Sequence, residues 1–243
     1  MPHFSTAQQR AVEQFARDLA GVFGPRLESV VVYPGHQGDG SVHSCVLVQS
    51  LGFHDLTTCL PFTQTWHHRG IAVPLMLASD EFERTLDVFP LEYAAIAADY
   101  SVAAGRDPFK GLRVPVEDVR RAVEGLAKSL LIHLREGFLE SHAETTRIAR
   151  LITASAAPLR ALLVHIARLP EAGQGGPMDT ATPSDEALAL LAERRMDIPS
   201  SLIRAVLASS ADGHSSITDP SHLLASYIDA AHRIWVYVDR WRA

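Results

Sequence analysis

The β-branched run Val30-Val31-Val32, set inside Leu27–Tyr33 and followed by a turn spaced by Gly35, Gly38 and Gly40, constrains this chain more than any other feature. Branching at Cβ favours extended backbone, and a strand without polar alternation has both faces covered. Cys45–Val48 is equally apolar, so the pattern predicts a buried hairpin inside an α/β unit. Upstream, Ser5 and Gln8 form a capping-box pattern, and Val12, Phe15, Leu19 and Val22 recur at helical spacing. A helix over residues 6–23 is expected, ended by Gly24-Pro25.

Further along, residues 49–70 read as an irregular polar and aromatic loop, and Ile71–Leu77 reads as a strand. Asp80 with Glu83 predicts the cap of a short helix ending near Leu86, and Phe89–Ile96 predicts a strand that closes the sheet. Residues 1–110 are thus expected to form an α/β domain, a small mixed sheet with flanking helices. The period then changes. Val119, Val123, Leu126, Leu130 and Leu134 make an amphipathic stripe, and helical segments are predicted over Thr145–Thr153, Leu159–Leu169, Asp185–Arg195, Ser200–Ser209 and Pro220–Trp241. Residues 111–243 are expected to be an all-α helical bundle, with a mobile Gly- and Pro-rich loop at about 170–184.

With 243 residues, 47% of them hydrophobic, the chain can bury one large or two modest cores. Its 22 basic and 28 acidic residues give a net charge of −6 with no basic block, which argues against generic nucleic-acid binding. Apolar runs fall short of the roughly 18 residues that cross a bilayer, and the start lacks a basic segment followed by an apolar one. The expectation is a soluble, cytoplasmic protein with no membrane partner. Cys45 and Cys59 are too few for a disulfide scaffold and are expected to be free thiols.

The order helix, strand, glycine turn, strand, variable loop, strand, helix, strand and helical bundle is joined by four local phrases. These are LESVVVY at Leu27–Tyr33, DEFERTLDVFPLEY at Asp80–Tyr93, GRDPF at Gly105–Phe109 and LLIHLREGFL at Leu130–Leu139. Over most of its length the chain resembles nucleotidyltransferases of the aminoglycoside-adenylyltransferase type. That resemblance implies a Gly-Ser turn holding a nucleoside triphosphate, an Asp-x-Asp pair on the next strand holding magnesium, and a third carboxylate on a later strand. Magnesium prefers oxygen ligands and neutralises phosphate charge during in-line transfer. Carried onto this chain, the nucleotide-binding positions are Gly35, His36 and Ser44. The acid pair falls on Ser44 and Val46, neither of them a carboxylate. Pro34 also removes a backbone donor from the turn. Glu92 matches the third acid, with Asp87 behind it. Asp39 and Asp55, in the flanking segments, are the substitute metal ligands, and His36 or His43 could serve a transition metal.

Each feature has a plainer reading. The glycines suit any tight turn, and Glu92 could instead pair with Arg84 or Arg106. Arg160 and His165 match the spacing of HEPN-type ribonucleases but are expected to be helix surface. The leading functional expectation is a nucleotidyltransferase-fold pseudoenzyme that binds a nucleotide, a small ligand or a protein partner. One alternative is a magnesium-dependent transferase that adenylylates a small acceptor through non-standard ligands. The other is a structural module, such as a homodimer, acting through its bundle and the aromatic group Trp235, Tyr237 and Trp241.

Overall fold

Helix α1 (Thr6–Phe23) begins as its capping box predicts. Gln8 N donates to Ser5 Oγ at 3.3 Å, and Ser5 N donates to Gln8 Oε1 at 2.9 Å. The computed structural model describes residues 2, 4–35, 40–169, 183–212 and 217–241. The chain divides into two compact units, Met1–Val114 and Pro115–Ala243.

In the first unit, β1 (Leu27–Pro34) and β2 (Val42–Val48) pair antiparallel with Val31 opposite Cys45. Strand β3 (Leu75–Ala78) lies parallel to β2, and β4 (Ser101–Gly105) lies antiparallel to β1. The result is a small mixed sheet of order β3-β2-β1-β4. Val30, Val32, Val42 and Val46 face α1 and α2 (Phe53–His68), packing with Phe15, Leu19, Cys59 and Trp66. Val31, Tyr33, Cys45 and Leu47 face the opposite way, toward Phe82 of α3 (Ser79–Arg84) and Tyr93 and Ile96 of α4 (Pro90–Ala98). Both faces are covered, which is why β1 and β2 lack polar alternation.

Four local expectations need correction. Residues 49–70 are mostly helix rather than loop: Gly52 N donates to Asp55 at 2.9 Å to start α2. Trp66 then anchors the helix, its indole nitrogen donating to Asp18 at 3.0 Å and its ring meeting Phe15 edge-on at 4.9 Å. Phe53 and Leu60 remain exposed on α2, so its apolar residues form no clean stripe in the sequence. Phe89–Ile96 is not a strand, because Pro90 opens α4 and Tyr93 and Ile96, three apart, bury together. Strand β4 closes the sheet instead, and its Ser-Val-Ala-Ala-Gly sequence carries little strand propensity. Ile71 makes only an isolated bridge to Val42, and β3 begins after Pro74. Finally, Ala78 rather than Asp80 is the N-cap of α3, with its N–H donating to Glu81 at 2.8 Å.

The second unit is helical: α5 (Val116–Glu140), α6 (Thr145–Arg168), α7 (Asp185–Met196), α8 (Ser200–Asp212) and α9 (Pro220–Arg240). α5 buries Val119, Val123, Leu130 and Leu134 as its stripe predicts, while Leu126 stays 42% exposed. α6 runs unbroken through Pro158, where two segments were expected. Gly137 lets α5 approach α6, since a Cβ there would press on Leu151. By length and composition alone α6 could cross a membrane, but Ile148, Ile152, Leu159 and Leu163 are buried within this unit. On α9, Trp235 lies under Lys128, whose nitrogen is 3.6 Å from the ring centre, and Trp241 is buried beyond its end. Most of the expected loop at 170–184 lies outside the described residues.

Candidate functional site

The hairpin between β1 and β2 carries most of the expected site residues. Gly35 N donates to Ser41 O at 3.3 Å, closing the turn, and Gly40 takes φ +70°, a conformation glycine adopts without strain. Gln8 of α1 reaches the same turn, its Nε2 donating to Gly40 O at 3.0 Å. His36 and Asp39 lie outside the described residues.

Ser44 sits opposite Val32 and is 1% exposed. By strand alternation it shares its face with Val42, Val46 and Val48, inside the layer beneath α1 and α2. Its hydroxyl is buried with no hydrogen-bond partner among the described residues. Ser44 and Val46 thus occupy a buried apolar layer.

Glu92 is elsewhere. It occupies the first turn of α4, exposed, beside Leu91 and Tyr93, which turn inward on the opposite side of the sheet. Neither anticipated arginine takes it: Arg84 lies 4.0 Å from Asp80, and Arg106 binds Glu28 at 2.9 Å. The Glu92 charge does reach the aromatic layer below. Burial pushes the Tyr33 hydroxyl up to about 12, with Cys45 and Glu92 adding to the rise. Burial likewise raises the Cys45 thiol to about 12, so it is a core side chain rather than a nucleophile. The Tyr93 hydroxyl is satisfied by Thr85 Oγ1 at 2.7 Å.

Asp55 has a structural post. Its carboxylate binds Arg26 at 2.7 and 3.2 Å and also accepts from Gly52 N. Arg26 first, then the Gly52 N–H, hold it down at about 2. Arg160 is also occupied, by an ion pair with Asp185.

Magnesium would need converging oxygen ligands. The sheet instead separates Glu92 from Ser44 and Val46, and Asp55 is engaged with Arg26. Among the described residues no three His, Cys, Asp or Glu side chains form a metal-holding group. Among the described residues, those assigned to that ion do not fit it.

No family model, curated protein or solved structure matches the chain.

The residues that reasoning from sequence passed over are on α9, where His222, Ser226, Asp229 and Arg233 line a cavity against α8. Their spacing of four, three and four is visible in the sequence and puts them on one helix face.

Proposed function

We propose that this protein is a nucleotidyltransferase-like chain that binds a nucleotide at the β1–β2 turn without transferring it. One observation carries the reading: the two β2 positions that the resemblance assigns to metal-binding acids are Ser44 and Val46, side by side in a buried apolar layer. An ionised carboxylate there would have to be desolvated without a partner, at a cost of several kcal/mol. The exposed position of Glu92 across the sheet supports the same reading, because a lone acid cannot organise an in-line attack on a phosphate. The glycine-rich sequence of the turn supports the reading, because backbone N–H groups suffice to hold an anion; the Gly35 N–H itself is committed to Ser41 O.

The test is calorimetric titration with each nucleoside triphosphate, with magnesium and then with a chelator, alongside a pyrophosphate-release assay. Binding that survives the chelator, with no pyrophosphate released, is the expected result. Magnesium-dependent release that disappears in Glu92→Ala would replace the proposal with an active transferase. Absence of nucleotide binding under both conditions would overturn it.

A further inference from the structure

The second unit contains a cavity of about 450 Å³ between α8 and α9, within the size range of small-molecule sites. Its walls are apolar where the helices meet, at Leu202 and Ala205 of α8 and Leu223 of α9. Its rim carries charge of both signs, Asp229 and Arg233 on α9. These two residues are one helical turn apart, the spacing at which an acid and an arginine ordinarily pair. They do not pair. Arg233 Nη1 turns instead to Asp197 at the α7–α8 junction, donating to its backbone O at 2.7 Å and ion-pairing with its carboxylate at 3.4 Å, which leaves Nε and Nη2 as the donors for a ligand. Asp229 has no hydrogen bond or ion pair among the described residues. The other rim acid, Asp219, is already the cap of α9, accepting from His222 N at 3.1 Å. A free carboxylate and a guanidinium with further donors therefore stand separately over one apolar floor.

We propose that this cavity binds an amphoteric molecule of dipeptide size. Its ammonium group meets Asp229, its carboxylate meets Arg233, and an apolar side chain rests on Leu202 and Ala205. Residues one turn apart hold their Cβ atoms about 5–6 Å from each other. The two charges of an extended dipeptide are separated by a distance on the order of 6 Å. Those of a single α-amino acid are closer together. A purely anionic ligand is disfavoured, since it would meet the Asp229 and Asp219 carboxylates.

The experiment titrates the full chain with leucylglycine, N-acetyl-leucylglycine and leucylglycinamide, followed by calorimetry and by amide chemical shifts. Saturable binding of leucylglycine is expected, with shifts confined to α8 and α9 and at least tenfold weaker binding of both blocked forms. Asp229→Asn should weaken leucylglycine at least tenfold, and Ala205→Trp, which fills the floor, should abolish binding. Both positions are exposed, so circular dichroism should show both variants folded. Leucylglycine binding that is undetectable, matched by the blocked forms, or unchanged in Asp229→Asn would overturn the assignment. Nucleotide binding at the β1–β2 turn is read separately and is indifferent to either variant.

Discussion

Asp55 shows how a single carboxylate can be a structural part rather than a ligand. It closes the first turn of α2 through Gly52 and ties that turn to Arg26. Its folded-state value is depressed, so its contribution to stability is complete above the ordinary aspartate value near 3.8 and is lost as pH falls through about 2. Thermal melts between pH 6 and pH 2 should therefore show a decline across that window that is shallower in Asp55→Asn, which should also melt lower at pH 6. Equal slopes in the two proteins would refute the assignment. Gly105 is the least replaceable glycine at the end of the sheet. Its φ is +77°, and a Cβ would overlap the carbonyl oxygen of Glu28. Gly105→Ala should cost about 3 kcal/mol or more in denaturant titration. Burial raises both thiols. Cys45 and Cys59 should resist Ellman's reagent at pH 8 in the native protein, and both should react after unfolding.

Elements were legible where one face repeats cleanly. α1 and α5 carry buried residues at helical spacing, and β1 and β2 are apolar throughout, so local pattern and burial agree. α2 and α4 were not legible. α2 anchors itself through Cys59 and Trp66 while exposing Phe53 and Leu60, and α4 is apolar nearly all round. A short apolar run looks the same in sequence whether it becomes a buried helix or a strand. α6 makes the complementary point. Pro158 deprives Ala154 of its helical N–H partner, yet the helix continues because Ile152, Leu159 and Leu163 are held in the core. Pro158 itself is exposed, so Pro158→Ala restores the bond without opening a cavity. It should raise stability by about 1–3 kcal/mol in urea titration. A variant no more stable than the parent would refute the claim that the missing bond at Ala154 costs the helix stability.

At the scale of the molecule, residues 1–114 and 115–243 each enclose buried side chains of their own. Expressed separately, each fragment should give a cooperative melt and a dispersed amide spectrum. A fragment that stays unfolded would show that its core depends on the other. The sequence by itself determined the central hairpin, the first helix, the change from sheet to helical unit and the absence of carboxylates at Ser44 and Val46. Those features rest on chemistry and periodicity within a few neighbouring residues. Tertiary structure alone decided that residues 53–68 form a helix, that β4 closes the sheet, and that Asp55 answers to Arg26. It also decided that Glu92 and Ser44 belong to opposite faces. The physical reason is that a side chain's face and partner are set by segments distant along the chain, whose packing selects among local conformations of nearly equal energy.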